Sequence, residues 1–397
     1  MSLLIKHVNL VLENSVLENG WLLVKDGLIE DFGTGNTSEK SFDEVIDGSG
    51  SYLMPGFVDT HVHGGGGLSF NDETEEAWLT ALRLHLKGGT TTILPTFTSD
   101  TKESFLKNIA IFNELKEKED TLVDIPHLAG LHLEGPYFSP QQCGAQAGDV
   151  IRTPDREEYE EILAACPYIK RWSVACELDG AIEMGKHLQK LGICASIGHS
   201  NATWEEANHA VKEGGFSCVT HLYSSCSYLH RNGPFREGGV VEAAFLMDDL
   251  DVEMIADGVH LPPLFMQLIY KIKGSDHIAL VTDCIRPGGT AYTEGESVYL
   301  DREKKQKGFL EHDVAVLETR ECFAGSIATT SRLVRTVVQK AGISLPEAVK
   351  MASLTPARML GLHHKIGSIE IGKCADLVMM DSNLELQMCI LGGRVLR

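Results

Sequence analysis

Six side chains of metal-ligand type fall at the ends of five apolar segments. His61 and His63 close the run Asp59-Thr60-His61-Val62-His63. Glu134 lies in His132-Leu133-Glu134-Gly135-Pro136, His199 follows Gly198, His221 follows Thr220, and Asp283 follows Thr282. Imidazoles and carboxylates together suit Zn²⁺ or another first-row divalent ion. Residues i and i+2 of a strand face the same way, so His61 and His63 can reach one ion while Val62 packs outward. The set exceeds what one tetrahedral ion needs. It suits one ion with extra polar contacts, or two ions bridged by Glu134. Singly, each residue has a plainer reading. A lone His-x-His is a weak signal, His199 or His221 alone is a core histidine, Asp283 alone caps a turn, and Glu134 alone serves turn amides. Five segment ends carrying such residues together favour the metal site.

A parallel α/β fold is what brings strand ends to one place. Strands are expected at 57–63, 90–97, 128–134, 171–176, 193–199, 218–222, 252–256 and 277–283. Amphipathic helices are expected between them, at 73–87, 157–165, 181–191 and 204–213. Eight such units favour a closed (β/α)8 barrel over an open doubly wound sheet, and neither GxGxxG nor GxxxxGK[ST] is present. Barrel enzymes place catalytic residues at the C-terminal strand ends. The run Gly64-Gly65-Gly66-Gly67 reads as backbone passing close to a metal site, or as a flexible loop. Residues 286–321 read as a turn-rich stretch, followed by a helical tail at 327–340 and 346–351.

Both ends of the chain are β-rich. Residues 5–12 are apolar-rich, 21–24 run into an Asp26-Gly27 hairpin turn, and 367–373, 375–380 and 392–396 read alike. The economical arrangement is a small β-sandwich of residues 1–55 plus 366–397, with the barrel, 56–365, inserted between.

The chain has 397 residues, enough for a barrel of about 250 and a second module. A net charge of −21 argues against nucleic acid or anionic lipid as partner, but not against a small anionic substrate held near a metal ion. Ten cysteines without a CxxC pair point to reduced thiols. With no signal-peptide pattern and no apolar run of about 18 residues, a cytoplasmic enzyme is expected.

Several pieces are more specific. They are 55–64 (Pro-Gly-Phe-Val-Asp-Thr-His-Val-His-Gly), 131–140 (Leu-His-Leu-Glu-Gly-Pro-Tyr-Phe-Ser-Pro) and 198–203 (Gly-His-Ser-Asn-Ala-Thr). Thr220-His221-Leu222-Tyr223, Asp257-Gly258-Val259-His260, Val281-Thr282-Asp283 and Ala324-Gly325-Ser326 add to them. Through these the chain resembles the amidohydrolase superfamily and, within it, the N-acetylglucosamine-6-phosphate deacetylases. The resemblance spans nearly the whole chain. Other amidohydrolases often carry a strand-four lysine; Glu134 on strand three takes that place.

The resemblance implies roles. Glu134, His199 and His221 would be the principal metal ligands, with His61 and His63 at a second position. Asp283 would be general base, then general acid, and a further contact to the metal. His260 would contact the sugar or its phosphate. Arg236 matches an arginine that reaches the phosphate from a neighbouring subunit, which implies a homodimer. The ion would be Zn²⁺ first, with Fe²⁺, Mn²⁺, Co²⁺ and Ni²⁺ also accepting these ligands.

Three departures fall in the substrate pocket. The family's Gly-Ala-His is Gly144-Ala145-Gln146 here, and an amide can donate a hydrogen bond but carries no charge. The family's Asn-Ala-Met is Ser224-Ser225-Cys226, and the loop 227–234 adds His230 and Arg231. Retained metal motifs with altered recognition motifs imply hydrolysis of an N-acetylated amino-sugar phosphate, of the glucosamine or galactosamine form. Gln146, Ser224 and Ser225 are thereby candidate substrate contacts. Two other readings compete: an amidohydrolase on another amide, dipeptidase- or dihydroorotase-like, and a non-catalytic sugar-phosphate-binding protein. Cys226 and Cys284 read as packing residues, since no independent base accompanies either.

Overall fold

The computed structural model describes residues 2–37 and 41–396. Eight parallel strands form its centre: β1 (Phe57–Val62), β2 (Thr90–Phe97), β3 (Leu131–Glu134), β4 (Ile169–Val174), β5 (Cys194–Ile197), β6 (Phe216–Val219), β7 (Asp251–Ile255) and β8 (Ile278–Val281). They pair in sequence order from β1 to β8. All residues of β1, β2, β3 and β8 are buried, as strands covered on both faces must be. This is the (β/α)8 barrel.

Helices alternate with the strands. α1 (Glu75–Lys87), α2 (Lys102–Glu117) and α3 (Arg156–Ala165) start at Thr74, Thr101 and Asp155, whose side chains accept first-turn amides. α4 (Ala181–Lys190) and α5 (Trp204–Gly214) follow. Thr203, which ends the Gly-His-Ser-Asn-Ala-Thr piece, is a capping-box residue. Its Oγ1 accepts from Glu206 N at 3.2 Å, and Glu206 Oε2 accepts from Thr203 N at 2.8 Å. Part of that sequence signal is therefore helix-start chemistry.

The barrel closes between β1 and β8 through backbone just beyond the strands. Asp283 N donates to His61 O at 2.9 Å, and His63 N donates to Cys284 O at 2.8 Å. Thr282 Oγ1 donates to the buried Asp59 Oδ2 at 2.6 Å. The seam thus runs through the residues singled out for chemistry.

The two termini combine in one eight-stranded sheet. Ser2–Val11 branches it, pairing with Val16–Lys25 on one side and with Glu44–Asp47 and Tyr52–Pro55 otherwise. Tyr52–Pro55 then pairs with Leu377–Met380, which joins the ends of the chain. The Asp26-Gly27 turn has φ of 49° and 82°, the positive values a two-residue hairpin of this hand requires. Leu3, Ile5, Val8, Leu377 and Ile390 give this sheet its own core.

Two expectations fail. Residues 367–373 form turns, with Gly367 and Gly372 at φ 92° and 88°, and the terminal strands are Leu377–Met380, Leu386–Leu391 and Arg394–Leu396. The stretch 286–321 contains most of a four-stranded antiparallel sheet, Glu296–Tyr299, Lys307–Glu311, Val314–Leu317 and Phe323–Ser326. Its apolar core is small, centred on Ile285, Leu310, Ala315 and Ile327, and its first strand is mostly exposed, so alternation in the sequence is weak. No helix among the described residues is long and apolar enough to cross a membrane.

Candidate active site

His61, His63, Glu134, His199, His221 and Asp283 are all buried and converge at the C-terminal ends of the strands. Glu134 is the hub. Its Oε1 lies 2.8 Å from His221 Nε2, 3.2 Å from His199 Nε2 and 3.4 Å from His61 Nε2, and its Oε2 lies 3.4 Å from His63 Nε2. Asp283 Oδ1 lies 3.1 Å from His63 Nε2 and 3.7 Å from His61 Nε2.

His199, His221 and Asp283 each adopt left-handed backbone, with φ of 46°, 29° and 47°. Such angles are uncommon outside glycine and costly when they recur. Each residue stands two positions past the end of its strand. The three turns redirect the chain where the side chains meet. Phe138, from the Glu-Gly-Pro piece, stacks on the His199 ring at 4.3 Å.

The outward ring nitrogens fix the tautomers of three histidines. His61 Nδ1–H donates to Glu253 Oε2 at 2.9 Å, His63 Nδ1–H to Thr96 O at 3.2 Å, and His199 Nδ1–H to Gln142 O at 2.8 Å. Each ring then turns Nε2 inward, where it presents a proton to Glu134 or Asp283, or a lone pair to a cation. His61 and His63 bring theirs within 3.1 Å, and the Nε2 atoms of His199 and His221 are 3.2 Å apart. Facing lone pairs repel unless a cation lies between them, and outer hydrogen bonds of this kind are how metal-bound histidines are oriented. The donor set therefore fits a divalent ion. Two groups have all their donor atoms within 4.8 Å of one another: His61, Glu134 and His221, and His61, His63 and Asp283. His61 belongs to both.

The charges agree with this. Burial alone would raise the Glu134 pKa, but the His61 ring and the hydrogen bonds from His199 and His221 hold it well below the usual carboxylate range. Burial opposes ionisation of Asp283 too, and the His63 and His61 rings outweigh it, so its pKa is lowered. Burial lowers the pKa of His221. Burial pushes the Cys226 thiol up to about 12 and the Cys284 thiol far up, so neither supplies a thiolate.

The residues singled out for substrate contact are placed differently from one another. Gln146 Nε2 donates to Glu134 Oε2 at 2.7 Å, and its Oε1 accepts from Ser99 N at 2.8 Å. In this state its amide holds the hub carboxylate. Ser225 lies against that loop: a Cβ on Gly144 would come within 2.6 Å of Ser225 Oγ. Ser224 N donates to His221 O at 2.9 Å. His260 Nδ1–H donates to Asp257 Oδ2 at 2.6 Å, and its ring packs on Phe323 at 4.6 Å. Arg236 is exposed on a hairpin of His230–Asn232 and Phe235–Glu237, opposite Arg231, rather than within the cluster. The glycine run passes beside the cluster, where Gly64 N donates to Cys284 O at 3.0 Å. Gly64 and Gly65 pair with Leu68–Ser69, and a Cβ on Gly64 would lie 2.3 Å from Leu68 O.

Three inward residues escaped the sequence reading. His132 lies edge-on to His61 at 4.6 Å, and Glu253 and Arg171 form an ion pair inside the barrel. A signal existed for Glu253: it is a charged residue between the buried apolar Val252 and Met254.

A profile of the amidohydrolase family matches residues 52–396. The chain belongs to the amidohydrolase family. This amidohydrolase is a hydrolase of amide bonds from a metal-dependent family, and its His, Glu and Asp cluster could hold a metal ion. It is 32% identical to the N-acetylglucosamine-6-phosphate deacetylase of Bacillus subtilis (strain 168), over 99% of this chain and 97% of that one. It is 30% identical to the N-acetylgalactosamine-6-phosphate deacetylase of Escherichia coli O157:H7, over 100% and 99%. Among solved structures it matches an aspartate-to-alanine variant of the Mycobacterium smegmatis N-acetyl-D-glucosamine-6-phosphate deacetylase in complex with N-acetyl-D-glucosamine-6-phosphate. That match has a TM-score of 0.87 and 28% identity, covering 100% of this chain and 98% of that one.

Proposed function

We propose that this amidohydrolase removes the acetyl group from an N-acetylated amino-sugar 6-phosphate, releasing acetate and the amino-sugar phosphate. The observation that carries the reading is the Asp283 carboxylate, held ionised beside His63 within the ligand cluster. A binding protein has no use for a proton acceptor there.

Glu134, His199 and His221 would hold the ion, with His61 and His63 at a second position; when bound, it would acidify a water and polarise the acetyl carbonyl. Zn²⁺ is the ion proposed, since imidazole and carboxylate donors suit it. Asp283 takes the proton from the attacking water as the new C–O bond forms, then gives it to the departing nitrogen as C–N breaks. Gln146 restrains Glu134 and, with Ser224 and Ser225, faces the substrate. His260, oriented by Asp257, contacts the sugar or its phosphate.

Arg236 reaches the phosphate of a neighbouring subunit's substrate, which makes the protein a homodimer. Its exposure on a projecting hairpin supports this. The barrel, 56–365, is the catalytic domain, and 1–55 plus 366–397 form the small one. Ten free cysteines support a reducing, cytoplasmic setting.

A panel of N-acetylglucosamine and N-acetylgalactosamine, each with and without the 6-phosphate, tests the substrate class. Turnover is expected only on the phosphorylated sugars. Arg236→Ala should raise KM for them by about 10- to 100-fold, the worth of one charge-assisted hydrogen bond. Equal kcat/KM with and without phosphate would remove both Arg236 and the phosphate from the proposal.

A further inference from the structure

Glu253 on β7 and Arg171 on β4 are 0% and 1% exposed and paired with each other. An ion pair buried this deeply gains little stability over an apolar pair of similar volume. Nor is this one fully satisfied, for Arg171 Nε has no partner among the described residues. What Glu253 touches is more informative. Its Oε2 accepts from His61 Nδ1–H at 2.9 Å and from the His221 main-chain N–H at 3.3 Å. Its Oε1 accepts from Thr60 Oγ1 at 3.4 Å, and Arg171 Nη1 donates to the same hydroxyl at 3.3 Å.

One carboxylate on β7 therefore holds a ligand residue on β1 and another just past β6. We propose that Glu253 is a positioning residue for the metal centre, with Arg171 as its countercharge. Glu253 locks His61 in the Nδ1–H tautomer, so that Nε2 presents its lone pair inward, and it anchors the left-handed backbone of His221. Arg171 supplies the positive charge paired with that carboxylate in the barrel interior. This rests on the metal-centre reading above.

The test challenges the Zn²⁺-loaded full-length protein with graded concentrations of a chromophoric chelator and counts the ions retained. Unaltered protein, His61→Ala, Glu253→Gln and the double variant Arg171→Met/Glu253→Leu are compared, with melting temperature and circular dichroism as controls. Glu253→Gln keeps a weaker acceptor. It is expected to lose the His61-dependent Zn²⁺ at about 10- to 100-fold lower chelator concentration with the folded circular dichroism retained, while the uncompensated Arg171 charge lowers the melting temperature. The double variant removes acceptor and charge together and should retain Zn²⁺ no better than His61→Ala. If it does not fold, the Glu253→Gln titration decides alone. Glu253→Gln retaining Zn²⁺ as the unaltered protein does would overturn the role of Glu253 and leave the metal centre standing. Unaltered protein that retains no Zn²⁺ would overturn both.

Discussion

Asp283→Asn is expected to lower kcat by about 10²- to 10⁴-fold, the usual worth of a positioned general base and acid. Asparagine matches aspartate in shape, and residue 283 also carries backbone of the barrel seam, so the isosteric change spares the fold. What it removes is the proton acceptor. The native carboxylate is held ionised by His63 and His61 against its burial, which is the state a base requires. Zn²⁺ at Glu134, His199 and His221 should remain, and substrate should still bind. Acetate release, elemental analysis and equilibrium binding of the sugar phosphate measure the three effects separately. A kcat within tenfold of the unaltered protein would show that the proton moves by another group.

His199→Ala should abolish activity. Its Nε2 lies 3.2 Å from both Glu134 Oε1 and His221 Nε2, and its Nδ1–H is committed to Gln142 O, so Nε2 is the atom it offers to the cluster. The informative partner is His61→Ala. If one ion held by Glu134, His199 and His221 does the chemistry, His61→Ala keeps measurable turnover while losing any second ion. The geometry makes this a demanding comparison, because His61 Nε2 is shared between both close groupings of donor atoms. Loss of turnover in His61→Ala equal to that in His199→Ala would rule out a one-ion mechanism centred on Glu134. Ion counts on both variants distinguish loss of a ligand from loss of the site.

The barrel was legible because its strands are buried on both faces and so read as apolar runs ended by polar residues. The six side chains of the cluster stood at those ends. Glu253 and Arg171 were missed for the complementary reason: they lie within strands, where a charged residue is readily assigned to an outward face. The sheet spanning Glu296–Ser326 was missed because its strands are short and cover a core of few residues, so turns and charges dominate its sequence. At 367–373 two glycines needing positive φ broke an apparently regular strand. Arg236 shows a further limit. Its position on an exposed hairpin is clear, but the reach to a neighbouring subunit proposed for it is a relation that leaves no local pattern in one chain.

The joining of β1 to β8 ties the ion to the mechanical integrity of the barrel. His61 and Asp283 exchange a backbone hydrogen bond, and the same two residues belong to one close group of donors. An ion held there would act as a latch between β1 and β8. At a free concentration 100-fold above its Kd it would favour the closed form by about 2.7 kcal/mol. Chelation should therefore register first in hydrogen exchange at the amides of His63, Gly64 and Asp283, which donate across that gap. The opposite wall, between β4 and β5, should keep its protection.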